Sequence, residues 1–225
     1  MPDPRAAGSR QRPPHTVVKV CGLTRLEDAR VAVEAGADWF GFILWEHSPR
    51  AVTVEAAAAI VATLELREAV AVMVSPTPAE ALEAARAIGA ARVQLHRISP
   101  AEWPAGFPLP VSFAIAVDAD GRLSHTPPGP DHVVLLDSGD ELLAGGTGRT
   151  FPWEAARALA RQHRVMLAGG LDGDRVGEAI AMVEPFGVDA ASRLESSPGR
   201  KDHERLRRFV AAARAADDRG NGEAI

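Results

Sequence analysis

From Thr16 onward, short apolar runs alternate with longer stretches in which apolar residues return every three or four positions. The first run is Val17-Val18-Lys19-Val20, and the first amphipathic stretch spans 26–35. Comparable runs at 39–44, 69–74, 91–95, 111–116, 133–137, 165–168 and 188–191 bring the predicted strands to eight, and helical periods at 54–66, 78–88, 152–161, 174–183 and 203–216 follow most of them. The segments after the fourth and fifth strands are short or irregular. Helix starts are signalled by Thr24 with Glu27 three residues on, by Thr53 before Ala56, and by Pro78 and Pro152 at early helical positions. Eight parallel strands with interposed helices predict a closed (β/α)8 TIM barrel. A doubly wound open sheet would more typically offer five or six strands and a glycine fingerprint after the first, and no G-x-G-x-x-G stands there. The expected organisation is one barrel domain over 16–216, with flexible tails at 1–15, which is rich in Pro and Arg, and at 217–225.

Composition narrows the function. A length of 225 residues with 46% hydrophobic and 24% charged positions suits a single barrel. The formal net charge of -5 argues against sequence-independent nucleic-acid binding, so any phosphate has to be held by local donors. The single cysteine, Cys21, excludes an internal disulfide and a cysteine zinc cluster and fits a reducing compartment. No stretch reaches the roughly 18 apolar residues of a membrane span, and no apolar signal-peptide core stands at the start; a cytoplasmic protein without a membrane partner is expected.

In such a barrel the chemistry lies where strands end. Cys21-Gly22 closes the first strand, Ser48-Pro49-Arg50 follows the second, His96 closes the fourth, Asp137-Ser138 the sixth and Gly169-Gly170 the seventh. Side chains on a strand alternate between faces, so Val17, Lys19 and Cys21 point inward together while Val18 and Val20 meet the helices. Lys19 and Lys201 are the only lysines in the chain, and an inward ammonium is costly without a purpose. One such purpose would be to favour the thiolate and lower the Cys21 pKa from roughly 8.5. Read alone, Cys21 fits a small core residue better. By the same parity Val133, Leu135 and Asp137 share a face, which makes Asp137 either a carboxylate at the barrel mouth or a turn former. His96 is either structural or functional. The glycine-bearing segments Gly145-Gly146-Thr147-Gly148, Gly169-Gly170 and Ser196 to Gly199 follow the last three strands, as in the phosphate site of many barrels.

Taken in order, six segments resemble the phosphoribosylanthranilate isomerase family over about 18–213. They are Lys19-Val20-Cys21-Gly22-Leu23-Thr24, Gly41-Phe42 through Ser48-Pro49-Arg50, Val93-Gln94-Leu95-His96, the 145–148 loop with Phe151 and Trp153, Leu167-Ala168-Gly169-Gly170-Leu171, and Gly187-Val188-Asp189 through Glu195-Ser196-Ser197-Pro198-Gly199 and Lys201-Asp202. The resemblance implies an Amadori rearrangement of a small phosphorylated substrate in tryptophan biosynthesis, with Cys21 as general base and Asp137 as general acid. It further implies that Arg50 meets the anthranilate carboxylate, that His96 and Asp189 contact substrate, and that Gly146, Gly148, Gly169, Gly170, Ser192 and Arg193 surround the phosphate. In that chemistry Lys19 supports the thiol, neither a metal nor a redox cofactor is required, and the two pKa values move apart, the acid raised by burial and the thiol lowered by positive charge. Two positions depart from the common pattern: Arg193 stands where a glycine is usual, and Arg97 follows His96 in place of glycine. The rival readings are a histidine-pathway isomerase, in which an aspartate is expected at the place of Cys21, and a catalytically silent phosphosugar-binding barrel. Either a monomer or a homodimer is compatible with the sequence.

Overall fold

Eight parallel strands close on themselves in the computed structural model of the chain, whose described residues are 15–137 and 153–222. The order is β1 (Val17–Val20), α1 (Leu26–Ala35), β2 (Trp39–Ile43), α2 (Val54–Thr63), β3 (Ala69–Val74), α3 (Pro78–Ile88), β4 (Arg92–His96), β5 (Val111–Ala116), β6 (Val133–Asp137), α4 (Trp153–Ala160), β7 (Arg164–Leu167), α5 (Val176–Val183), β8 (Gly187–Ala190) and α6 (His203–Gly222). A two-stranded antiparallel ribbon, β9 (Glu195–Ser197) with β10 (Arg200–Lys201), is inserted between β8 and α6. The predicted irregularity after the fourth strand is a 3₁₀ turn at Pro100–Glu102. After the fifth it is a short antiparallel bridge, Val117 to Leu123.

Period-two alternation divides the core into two layers. Val17, Cys21, Trp39, Ile43, Val70, Val72, Leu135 and Met166 fill the barrel, while Val18, Val20, Phe40, Phe42, Ala71, Val134, Leu136 and Val188 pack under the helices. At the N-terminal end the barrel is plugged by Trp39 and Phe186, whose ring centroids lie 5.7 Å apart. Arg92 and Arg164 cover those rings at 3.8 and 4.2 Å. The filled interior leaves the C-terminal ends of the strands as the place for chemistry.

The structure moves several sequence-derived boundaries. The last helix does not stop at Ala216 but runs to Gly222. The Asp217 carboxylate accepts from the Thr16 amide at 3.1 and 3.0 Å and from its hydroxyl at 2.6 Å, which ties the helix to the start of β1. His15, placed in the leading tail by composition, meets Asp38 at 3.1 Å. Residues 1–14 of that tail lie outside the described residues. Thr24 does not cap α1, because its hydroxyl donates to the Gly199 carbonyl at 2.5 Å and the cap position falls to Arg25. Thr53 caps α2 as expected by accepting from the Ala56 amide, and Thr77 with Glu80 closes a full capping box before Pro78.

Candidate active site

Closure of β1 against β8 sets Lys19 and Asp189 opposite each other in register, both facing into the barrel. The ammonium donates to the Asp189 carboxylate at 2.9 Å, with Lys19 wholly out of solvent. One residue pair further along β1, Cys21 sits at the mouth, and its place depends on β2. A methyl group at Gly41 would come within 2.8 Å of the Cys21 sulfur and 3.2 Å of the Lys19 nitrogen, so only glycine leaves room for both. Gly22 then turns the chain with φ +70, and a methyl there would stand 2.9 Å from Cδ of Arg50.

Cys21, Arg50, Gln94, His96, Asp137 and Asp189 line one cavity at the C-terminal end of the barrel. Gln94 and His96, alternate residues of β4, meet through their side-chain nitrogens at 2.9 Å. Asp137 ends β6, in register with Ala116 of β5, and is buried. Arg50 is held by Glu195, its Nε donating to both carboxylate oxygens at 2.9 and 3.0 Å. Lys201 donates to the same carboxylate at 2.9 Å and to the Ala191 carbonyl at 3.0 Å. A larger depression, about 540 Å³, lies at the other end of the barrel beside Asp131, His163 and Arg164. It shares no residue with the catalytic candidates and opens at the N-terminal ends of the strands, where barrels of this kind do not place their chemistry. Among the described residues no group of three or more His, Cys, Asp or Glu side chains is placed to hold a metal ion, and no helix is long and apolar enough to cross a membrane.

Burial, the largest influence on Lys19, favours the neutral amine, yet Asp189 and the nearby thiol overcome it and the lysine ends above its ordinary value. On Cys21 burial is again the largest influence and pushes the thiol up. Lys19 pulls it down, Asp189 pushes it up again, and the net result is a thiol above its ordinary value. The expected net lowering of the thiol by Lys19 is therefore overturned. The ammonium has the anticipated sign of effect, but it is shared with a carboxylate and sits in a site that disfavours any charge. Lys201 lies below the ordinary lysine value, because burial outweighs the attraction of Glu195.

The phosphate candidates divide by position. Gly146 and Gly148 lie outside the described residues. Gly169 and Gly170 take φ of +82 and +67 at the end of β7, so the double glycine makes a turn that other residues rarely adopt. Ser192 and Arg193 begin a 3₁₀ turn after β8. The Arg193 side chain is exposed, with Nε 4.0 Å from the point where a Cβ on Gly170 would stand. The nearby carboxylates Asp189 and Glu195 are engaged by other cations, Asp189 by Lys19 and Glu195 by Arg50 and Lys201. Gly199 turns the β9–β10 ribbon with φ +77 and gives its carbonyl to Thr24. Arg97 occupies a left-handed backbone position, φ +56, which explains why glycine would suit it.

Residues 18–212 match the model of the N-(5'-phosphoribosyl)anthranilate (PRA) isomerase family. The chain belongs to this family. A PRA isomerase of Pelobacter propionicus is 40% identical over 198 residues, covering 88% of this chain and 95% of the relative. The crystal structure of the phosphoribosylanthranilate isomerase of Thermotoga maritima superposes with a TM-score of 0.76 at 32% identity, covering 89% of this chain and 99% of the other. A family structure in complex with reduced 1-(o-carboxyphenylamino)-1-deoxyribulose 5-phosphate superposes with a TM-score of 0.72 at 30% identity over 89% and 99% of the two chains. Within this PRA isomerase barrel, inward parity on β4 was a signal for Gln94 beside His96. The scarcity of lysine was a signal for Lys201, which is as fully enclosed as Lys19.

Proposed function

We propose that this chain isomerises N-(5-phosphoribosyl)anthranilate to 1-(2-carboxyphenylamino)-1-deoxyribulose 5-phosphate in tryptophan biosynthesis, with Cys21 as general base and Asp137 as general acid. The observation that carries this reading is the placement of a buried thiol and a buried carboxyl, from β1 and β6, on one cavity that also presents Arg50. The substrate enters as a furanose. Asp137 gives its proton to the ring oxygen as the C1′–O bond breaks, and the anilino nitrogen lone pair forms the Schiff base. The Cys21 thiolate then takes the C2′ proton, and the electrons left behind neutralise the iminium to give an enolamine. The enolamine tautomerises to the ketone. Each proton transfer contributes about 10²–10⁴-fold, and holding the carboxylate and phosphate ends supplies orientation. Arg50 meets the aromatic carboxylate, His96 and Asp189 contact the sugar, and Gly146, Gly148, Gly169, Gly170, Ser192 and Arg193 surround the phosphate. The enzyme works in the cytoplasm as a monomer or homodimer. Mixing the purified protein with phosphoribosylanthranilate and following substrate fluorescence tests the reading: catalytic loss of signal is expected, and decay at the uncatalysed rate sinks it.

Two further results are expected. Since the base must be deprotonated, kcat/KM should climb with pH toward the raised value of the Cys21 thiol. Replacing Lys19 by Met alone would strand a buried Asp189 carboxylate, so the informative variant is Lys19→Met/Asp189→Asn. Lys19 acts on the thiol more strongly than Asp189 does, so this variant should move the rising limb further alkaline. A limb that stays in place would separate Lys19 from thiol activation.

Arg193→Gly should weaken binding of substrate and of inorganic phosphate by roughly tenfold, the worth of a charge-assisted hydrogen bond. It should also flatten the salt dependence of KM, while turnover at saturation changes little. Titration with phosphate at two ionic strengths checks it. Unchanged affinity would remove Arg193 from the phosphate, and improved affinity would mark it as an obstruction at the rim, as the silent-barrel reading requires.

A further inference from the structure

The chain uses arginine for all its fixed cations except two, and both of those lysines are buried. Lys19 has its counter-ion in Asp189. Lys201 has no place in the proton transfers, yet its environment is built with care. Its side chain is fully enclosed, its backbone amide is fixed by the Asp28 carboxylate at 3.0 Å, and Asp28 is in turn held by His203 at 2.8 Å. Its ammonium bridges the Glu195 carboxylate and the Ala191 carbonyl. Glu195 is also buried and grips Arg50 through both oxygens. The backbone carbonyl of Glu195 is fixed as well, accepting from Arg205 at 2.8 Å.

Two consequences follow from charge and from connectivity. Glu195 thus holds two cations at once, Arg50 and Lys201, with all three side chains buried. The cluster also joins two places far apart in sequence: Arg50 after β2, and Ala191, which immediately precedes the Ser192–Leu194 turn at the end of β8. We propose that Glu195 and Lys201 are positioning residues that fix the spacing between the two anion-binding ends of the site, Glu195 aiming Arg50 at the aromatic carboxylate and Lys201 anchoring the β8 corner at the phosphate end. Lysine suits this bridge because a single compact ammonium reaches a carboxylate and a carbonyl at once, whereas a planar guanidinium needs a wider fork. The proposal rests on the assignment of Arg50 to the carboxylate given above.

The test compares two probes, reduced 1-(o-carboxyphenylamino)-1-deoxyribulose 5-phosphate and the same compound without the ring carboxylate. The parent enzyme should bind the carboxylated probe at least tenfold more tightly. In Glu195→Gln one acceptor facing Arg50 becomes a donor, and the preference should fall to within about threefold, with KM rising about tenfold and kcat changing far less. Glu195→Asp keeps the charge and so guards against loss of the fold, and it should show an intermediate preference. Lys201→Met should in addition weaken inorganic phosphate by several-fold, which Glu195→Asp should not. A parent that binds both probes equally refutes the Arg50 assignment, and the proposal with it. A parent that discriminates alongside Glu195 variants that discriminate just as well overturns the positioning role alone, as does a uniform loss of affinity for both probes, the mark of a merely structural residue.

Discussion

Cys21→Ser should fold as the parent does and lose 10²-fold or more in kcat. Serine has the same branching as cysteine and is somewhat smaller, and the site packed around Gly41 needs a small side chain, so the expected change in thermal midpoint is no more than a few degrees. The chemical change is large. A serine hydroxyl beside Lys19 is not ionised at any pH the protein survives, so the C2′ proton loses its acceptor, and the expected loss corresponds to about 3 kcal/mol or more of transition-state stabilisation. Affinity for the reduced product analogue should stay near that of the parent, since the Arg50 and phosphate ends are untouched. Steady-state turnover, analogue titration and a melting curve together check the result. Near-normal turnover in the serine variant would return Cys21 to the class of small core residues. A fall in kcat accompanied by an equal fall in analogue affinity would point instead to a damaged site.

The pattern of apolar positions carried the barrel because period two and period 3.6 are properties of the backbone and need no tertiary knowledge. Lys19 and Cys21 could be placed on the inner face from β1 alone, and Asp137 from β6 alone. Their partners could not. Lys19 finds Asp189 because β8 closes against β1 in one register, an event 170 residues away in sequence. The grip of Glu195 on Arg50 spans 145 residues and depends on a ribbon that the sequence showed only as a glycine-bearing loop. The direction of the thiol shift was misjudged for a related reason. A neighbouring cation is visible in the sequence, whereas the depth of burial that outweighs it is a property of the closed barrel. Competition for hydrogen bonds explains the smaller errors. Thr24 had a capping pattern, but the Gly199 carbonyl took its hydroxyl, and the last helix outran its predicted end because Asp217 found Thr16.

Asp137→Asn isolates the other half of the chemistry. The amide has the shape of the carboxyl, and the backbone of β6 is fixed by its ladder to Ala116 of β5, so the variant should fold. What it cannot do is deliver a proton to the ring oxygen. Opening the furanose then has to expel an alkoxide, or wait for a water to protonate it at a site where the Asp137 side chain is buried from solvent. The expected loss in kcat is about 10²–10⁴-fold, with kcat/KM falling in the same proportion, because the interaction lost is made only as the bond breaks. Binding of the reduced product analogue, whose ring is already open, should be nearly unchanged. That contrast makes the variant informative: a turn residue would disturb the analogue and the substrate alike, and an acid would disturb turnover alone. Turnover within about threefold of the parent would remove Asp137 from the mechanism, and the proton would then have to come from another group on the same cavity, such as His96 on β4.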